Sequence, residues 1–322
     1  MARDHNNKPA DTGETLAFNR RQFVIGAGAA TTLAATGFPF PTAAAETIKF
    51  GEFEILPLSD GHLMLPARLF APNAEESARA AAFAAAGHTG DQIRRPLNIT
   101  LIRKGNEQIL VDVGSGPRFM ATAGKLVDDV DANGIDREAI TTVVFTHAHP
   151  DHIWGTTDDF DELVFPNARY LISEEEYNYW MADDILSKLP ADRQGFATGA
   201  QRNINAVKDK LETFKPGTDL VTGMTTLETG GHTPGHISLE ISQGNETFIV
   251  LGDALTHHIV SFQYPDWISG NDHEPERAIK TRQKLLDKMA NENTRLIGYH
   301  LPDPGVGRVE RDGTAYKYVS ES

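Results

Sequence analysis

The chain contains the stretch Thr146-His147-Ala148-His149-Pro150-Asp151-His152, which places four potential metal ligands within six residues. An apolar run typical of a β-strand, residues 140–145, comes directly before it. Polar groups clustered so closely at a strand end are unfavourable unless they share cations. A solvated, histidine-rich turn is the alternative interpretation. The sequence favours a metal site because the rest of the chain supplies three further ligands.

Each of the three further ligands lies in a tight turn or follows an apolar run. His232 lies in Gly230-Gly231-His232-Thr233-Pro234-Gly235-His236, where the glycines and the proline favour a rigid turn. Asp253 follows the apolar residues 248–252, and His300 follows residues 296–299. Because α/β folds collect functional side chains at strand ends, we expect these ligands to meet.

This pattern resembles the metallo-β-lactamase superfamily, whose hallmark is His-x-His-x-Asp-His followed by a Gly-His-Thr-Pro-Gly turn, an Asp and a final His. The match extends over residues 109–302, which makes a chance match improbable. The resemblance implies a four-layer αββα sandwich of the α/β class, two metal ions with Asp253 as the bridge, and a structural role for Asp112. By the same resemblance, one ion would be held by His147, His149 and His232, and the other by Asp151, His152 and His300.

Much of the chain after residue 45 is similar to the methyl-parathion-hydrolase branch of that superfamily. The similarity is carried by residues 51–61, 165–168, 195–200 and 300–307. That branch lines its substrate pocket with aromatic side chains, and by resemblance Phe119, Trp180 and Phe196 would do so here. The alternative is that these aromatics belong to the core. The chain differs from the branch at Thr256-His257-His258, after the bridging Asp.

Composition limits the partners and the metal chemistry. The 322 residues carry a net charge of −15, which disfavours nucleic acids and anionic membranes as partners. The chain has no cysteine, so its metal ligands are nitrogen and oxygen atoms. Such ligands suit zinc, our first choice, and also manganese, iron or cobalt. We expect a small-molecule substrate and allow for a homodimer.

Residues 1–45 resemble a bacterial twin-arginine (Tat) export signal. Paired arginines, Arg20 and Arg21, precede a weakly apolar segment that ends in Pro41-Thr42-Ala43-Ala44-Ala45. The alternatives are a membrane anchor or a core helix, but glycine, threonine and alanine make a poor membrane span. We therefore predict recognition by the Tat translocase, cleavage after Ala45, no stable membrane insertion afterwards, and a periplasmic or secreted protein.

Residues 46–322 are predicted to form one hydrolase domain, because no repeat or low-complexity linker divides them. Residues 48–56, 98–102 and 108–113 have strand patterns. Helices are expected at 75–86, near 119–130 and at 274–289, and residues 174–215 have a largely helical composition that would suit a lid or pocket wall.

The ligand set predicts a metal-dependent hydrolase acting on esters, lactones or organophosphate triesters through a metal-bound hydroxide. We assign catalytic roles to Asp253 and Asp151 because a bridging carboxylate holds both ions and orients the proton. An N-acyl-homoserine lactone lactonase is the main alternative. A β-lactamase is disfavoured because the bridging Asp253 argues against it. A mononuclear iron persulfide dioxygenase or a non-catalytic metal-binding protein is disfavoured because both metal sites are filled.

The other histidines are interpreted as non-ligands. His236 follows the turn that carries His232 and is expected to be structural. Either His257 or His258 enters the pocket, or both lie in a solvated loop. Ordinary surface or capping roles are expected for His62, His88 and His273.

Overall fold

A computed structural model describes residues 46–88 and 90–321, so the predicted export signal lies outside the described residues. The first sheet has seven strands in sequence order. Its strands pair antiparallel up to the fourth strand and parallel from the fourth to the seventh. The strands are β1 (Ile48–Phe50), β2 (Phe53–Pro66), β3 (Gln92–Lys104), β4 (Glu107–Val111), β5 (Thr142–Val144), β6 (Arg169–Ser173) and β7 (Leu211–Phe214).

The second sheet also has seven strands, again adjacent in sequence order. Only the pairing of its fourth and fifth strands is parallel. The strands are β8 (Asp219–Val221), β9 (Met224–Glu228), β10 (Ile237–Gln243), β11 (Glu246–Val250), β12 (Arg295–Ile297), β13 (Val306–Asp312) and β14 (Ala315–Ser320).

Eight α-helices accompany the sheets in the described part of the chain. Among these residues, none of the helices has both the length and the apolar character needed to cross a membrane. The helices are α1 (Glu76–Ala85), α2 (Leu126–Ala132), α3 (Pro150–Ile153), α4 (Glu174–Trp180), α5 (Ile185–Lys188), α6 (Gln194–Ala206), α7 (Val260–Gln263) and α8 (Pro275–Glu292).

Three apolar layers hold these elements together. Side chains from both sheets, including Phe53 and Phe248, form the layer between the sheets. The outer face of the first sheet packs against α2, α4 and α6, with Leu126 among the buried residues. The outer face of the second sheet packs against α8 through residues such as Leu286. Helices therefore cover both outer faces of two stacked sheets, which confirms the predicted αββα sandwich.

Several predicted elements differ in their limits, and the strand expected at 98–102 is part of the longer β3. The apolar residues 48–56 form a hairpin rather than one strand, because Gly51 adopts a positive φ of 59° and turns the chain between β1 and β2. The helix expected near 119–130 extends over 126–132. Gly124 also has a positive φ, which an α-helix does not allow, so the helix begins only after it.

The stacking of the sheets brings ligand loops together from both halves of the fold. Four of the predicted ligands follow β5 in the first sheet, between residues 147 and 152. The other three follow strands of the second sheet: His232 follows β9, Asp253 follows β11 and His300 follows β12.

Candidate metal centre

Three of the predicted ligands form one group, which we call site A and which consists of His147, His149 and His232. His149 Nδ1 lies 3.0 Å from His147 Nε2 and 2.9 Å from His232 Nε2. All three side chains are buried. Their nitrogens thus point to one centre at the spacing that a single ion requires.

A second group, site B, consists of Asp151, His152 and His300, which are also buried. Asp253 lies between the two sites. Its Oδ2 is 3.2 Å from His232 Nε2 of site A. Its Oδ1 is 3.3 Å from His152 Nε2 and 3.1 Å from His300 Nε2 of site B. One carboxylate therefore presents a separate oxygen to each group, which is the arrangement of a bridging ligand.

Several of these atoms have unsatisfied hydrogen-bonding capacity. Within the described residues, His152 Nε2, His300 Nε2 and Asp253 Oδ1 are buried and have no hydrogen-bond partner. Buried polar atoms are nearly always paired, because losing water without a replacement is costly. These three atoms converge, so one divalent cation would satisfy them together. The nitrogen and oxygen donors suit zinc and other divalent first-row metals.

The nitrogens on the far side of the rings contact hydrogen-bond acceptors. An imidazole that donates from one nitrogen keeps a lone pair on the other. These bonds therefore fix the tautomers in which the inward nitrogens can bind a metal. The contacts are His152 Nδ1 to Asp112 Oδ2 (2.8 Å), His232 Nδ1 to Asp272 Oδ1 (3.0 Å), His300 Nδ1 to the Pro96 carbonyl (2.8 Å) and His147 Nδ1 to Thr146 Oγ1 (3.1 Å).

Asp112 has the structural position that the resemblance implied. Its backbone adopts a positive φ of 65°, which is uncommon for a residue other than glycine. In this conformation its carboxylate accepts hydrogen bonds from the Thr146 backbone and hydroxyl as well as from His152. It thereby connects the strand-end loop after β4 to the ligand loop after β5.

The carboxylates of the centre control the charge of His152. Burial lowers the pKa of this imidazole, but Asp253, Asp112 and Asp151 outweigh that effect and raise it to about 10. Burial likewise raises the pKa of Asp253, yet His300, His152 and Arg95 hold it well below its usual range. The metal-free centre thus keeps a proton on His152, which an arriving metal ion would displace.

Arg95 is a member of the centre that the sequence did not indicate. Its Nη2 lies 3.1 Å from Asp253 Oδ2, and both side chains are almost fully buried. It comes from β3, where a single arginine within a strand carries no motif. Its guanidinium supplies a fixed positive charge beside the bridging carboxylate.

Glu176 connects the two loops that carry site A. Its carboxylate accepts bonds from Ala148 N (2.9 Å) and, in the turn that carries His232, from Thr233 Oγ1 (2.6 Å) and Gly235 N (3.1 Å). A Cβ on Gly235 would lie 2.0 Å from the Glu176 nitrogen, so this position requires glycine. Burial raises the pKa of Glu176. Because it lies outside every motif, sequence reasoning missed it.

These features agree with a match found by comparison with known families. The family model of the metallo-β-lactamase superfamily matches residues 93–300, which include the whole centre. The chain belongs to the metallo-β-lactamase superfamily. It is a metallohydrolase of this superfamily, and its buried histidine and aspartate groups suit divalent metal ions.

Relatives within the superfamily include lactonases. The chain is 28% identical to AidC, a dizinc quorum-quenching lactonase, with 87% of this chain and 98% of AidC covered and a TM-score of 0.82. It is also 28% identical to the hydrolase AbOPH, over 87% and 98% of the two chains, with a TM-score of 0.80. The N-acyl homoserine lactonase AttM of Azorhizobium caulinodans is 25% identical, over 66% of this chain and 80% of that protein.

Of the three aromatics expected in the pocket, Trp180 and Phe196 have rings within 6.0 Å of the His149 ring, and Phe119 packs on Phe196. The Phe196 ring is 6.0 Å from the His149 ring, and Phe119 packs edge-on against Phe196 at 6.4 Å. Both are half-buried. Trp180 differs from the expectation, because its side chain is fully buried and its Nε1 donates to Glu176 over 2.6 Å. With its surface covered, Trp180 supports the ligand loops from the core rather than lining a pocket.

Of the remaining histidines, some contact the metal ligands and others lie away from them. His236 is structural, as expected: it accepts from the Asp253 backbone over 2.9 Å, and burial and His232 lower its pKa to about 3. His273 is not the ordinary surface or capping residue that was expected, because its Nε2 lies 3.0 Å from His149 Nε2. His257 is only 4% exposed, so it does not lie in a solvated loop.

Proposed function

We propose that this metallohydrolase is a dinuclear N-acyl-homoserine lactone lactonase. The observation that carries the proposal is Asp253, whose two oxygens face site A and site B separately. The similarity to AidC and AttM supports the lactone substrate. We assign one divalent ion, most simply zinc, to each site, since six ligands and a bridge exceed what one ion needs.

Bound metal ions would supply a nucleophile formed from water and polarise the substrate carbonyl. The chain's own residues hold and orient the reaction around them. Asp253 ties the two sites together, and Arg95 fixes the carboxylate of Asp253 by a buried bond of 3.1 Å. Asp151 is the second carboxylate of the centre, and its Oδ2 lies 3.3 Å from His300 Nε2.

The aromatic side chains beside site A would bind the apolar part of the substrate. Phe196 and Phe119 are half-buried, adjacent and next to His149. An acyl chain that packs on them gains about 0.8 kcal/mol per buried methylene. We therefore expect preference for lactones with longer acyl chains.

Hydrolysis of aryl esters or organophosphate triesters is the second candidate. The edge-on pair of Phe119 and Phe196 favours it, because aromatic leaving groups pack well against such rings. Export through the twin-arginine route and the periplasmic location stay predictions from residues 1–45. The choice of zinc stays a prediction from the nitrogen and oxygen ligands.

A substrate panel tests the function. The zinc-loaded protein would be assayed with N-hexanoyl- and N-decanoyl-homoserine lactone, a phenyl ester, an aryl phosphotriester and a β-lactam. We expect kcat/KM for the decanoyl lactone to exceed that for the phosphotriester at least about tenfold, a transition-state difference of about 1.4 kcal/mol. The metal-stripped protein is the control and should be inactive on every substrate. Fastest turnover of the phosphotriester would replace the proposal with the second candidate.

A further inference from the structure

His149 contacts a histidine on the side of its ring that faces away from site A. Its Nδ1 faces His147 and His232, as the distances of 3.0 and 2.9 Å show. Its Nε2 lies 3.0 Å from Nε2 of His273, which is largely buried at the site. His273 Nδ1 in turn lies 2.7 Å from the hydroxyl of Tyr179 on α4. A chain of two hydrogen bonds thus leads outward from site A.

The direction of this chain follows from the valence of imidazole. A metal ligand at His149 Nδ1 requires the ring hydrogen on Nε2, so Nε2 donates. His273 Nε2 must then accept, which places the hydrogen of His273 on Nδ1. That nitrogen donates to the Tyr179 oxygen. Once His149 Nδ1 binds a metal, the donor and the acceptor of both hydrogen bonds are fixed.

We propose that His273 is a positioning residue for site A and that Tyr179 fixes its tautomer; the inference rests on the proposed metal function. His273 accepts a hydrogen bond from the protonated Nε2 of His149 and thereby keeps Nδ1 of His149 pointing at the ion. Carboxylates and backbone carbonyls usually fill this role in metal sites. A histidine fills it only in one tautomer, which is why Tyr179 is part of the arrangement.

The backbone of His273 supports the same conclusion. Its N–H donates to the carbonyl of His232 over 2.9 Å, and the next residue, Glu274, donates to the Gly231 carbonyl over 2.9 Å. One residue therefore contacts the His232 loop with its backbone and His149 with its side chain. Glu176 connects the same two loops through Ala148 and Gly235. Site A is thus held by two independent connections.

The test is metal binding by the full-length protein, stripped of metal and titrated with Co²⁺. His273→Leu removes both hydrogen bonds. His273→Gln preserves them, because its amide oxygen can accept from His149 and its amide N–H can donate to Tyr179. Tyr179→Phe removes only the outer acceptor. Tyr177→Phe, on the same helix but outside this chain of bonds, is the matched control.

We expect His273→Leu to weaken binding of one of the two equivalents by about 10–100-fold, the usual cost of losing such a partner, and to leave the other unchanged. Tyr179→Phe should weaken the same equivalent less, and His273→Gln and Tyr177→Phe should bind as the unchanged protein does. The d–d absorption of one Co²⁺ should change with the affinity. Circular dichroism and thermal melting would identify a variant that fails to fold, in which case the Gln and Phe variants decide the comparison.

Native affinity at both equivalents in His273→Leu would overturn the proposal. Equal weakening in His273→Gln and His273→Leu would overturn the hydrogen-bonding role, because the amide keeps the bonds. If the unchanged protein binds two Co²⁺ ions and hydrolyses no lactone, the proposed substrate fails while the positioning role is still measured. If it does not bind a metal pair, the proposed function itself fails.

Discussion

The protein contains two clusters of histidines, a buried one in the metal centre and a partly buried one, that differ in the hydrogen bonds their rings make. In the first cluster, the metal centre, the inward nitrogens must be unprotonated to bind an ion. The second, which we call the outer histidine cluster, consists of His88, His257 and His258. Its closest nitrogens, Nε2 of His257 and Nε2 of His88, are 3.2 Å apart, close to the 3.0 Å between His147 and His149. Spacing alone therefore does not distinguish the two clusters.

The difference lies in the hydrogen bonds on the other side of the rings. His257 Nδ1 accepts from the backbone N–H groups of Ile259 (3.1 Å) and Val260 (3.2 Å). Its ring hydrogen is therefore on Nε2, which donates to His88. In the metal centre, by contrast, the outward nitrogens donate to acceptors, so that the inward nitrogens are the ones that can bind a metal.

The direction of the outward bond thus separates a ligand from a packing residue. His257 packs edge-on against Phe70 (5.7 Å) and Phe83 (5.5 Å) and stacks on His258 (4.8 Å). These contacts pack α1 and the following loop against the segment after Asp253. We therefore assign the outer histidine cluster to the stability of the fold and the metal centre to the proposed chemistry.

The largest effect should come from Asp253→Ala. Loss of the bridging carboxylate leaves the two sites without a common ligand and Arg95 without its partner. We expect the metal content to fall from two to at most one per chain and kcat/KM to fall by more than about a hundredfold, beyond the usual cost of losing a ligand's supporting partner. Elemental analysis and steady-state kinetics measure both. Near-native turnover with two metals bound would show that Asp253 is not the bridge.

A smaller effect, on stability alone, is expected for His257→Leu. This change leaves two backbone N–H groups without an acceptor, that of Val260, which is buried, and that of Ile259, which is partly buried. We expect the free energy of unfolding to fall by about 1–3 kcal/mol, while metal content stays native. His257→Asn is the matched control, because its amide oxygen can replace Nδ1 as the acceptor and should recover part of the loss. Loss of a metal equivalent in His257→Leu would contradict the separation of the two clusters.

The smallest effect should appear in the pH dependence of stability. Burial and the neighbouring His88 lower the pKa of His258 to about 4, and burial lowers the pKa of His88 as well. The unfolded chain then binds protons that the folded chain does not between about pH 6.5 and 4, so stability falls as the pH falls through this window. The loss for one such imidazole is about 2 kcal/mol at pH 5.

The comparison is between the melting temperatures of the unchanged protein and His258→Asn at pH 7.5 and 5, both loaded with metal. We expect the variant to lose less stability on acidification, because it lacks one titrating group of the outer cluster. An identical loss in the two proteins would mean that His258 is not held neutral.

The sequence indicated the seven candidate ligands because each of them follows an apolar run or lies in a glycine-rich turn, and the structure brings these side chains together. The resemblance carried by these motifs implied the αββα class, and the local patterns implied the grouping at strand ends. Supporting residues such as Glu176, Asp272 and His273 could not be found in this way. Their partners lie far away along the chain, and only the stacking of two sheets brings them to the ligands.

The assignment of Trp180 to the pocket shows a second limit. Adjacent residues on a helix point about 100° apart, so only one of Tyr179 and Trp180 can face a given direction. The aromatic pattern does not specify which of them is turned inward. In the structure Trp180 faces the core and Tyr179 is half-buried and bonded to His273.

Because the ligands come from both sheets, activity requires that both halves of the chain are folded and stacked. The first sheet supplies four ligands and the second three, including the bridge, so neither half of the chain can assemble the reactive centre by itself. A partly folded chain would be chemically inert. Once ions are bound, each becomes a cross-link between the halves, and separating the sheets requires breaking coordination bonds as well as the apolar layer between them. The bound ions would thereby stabilise the stacking of the two sheets that positions their ligands.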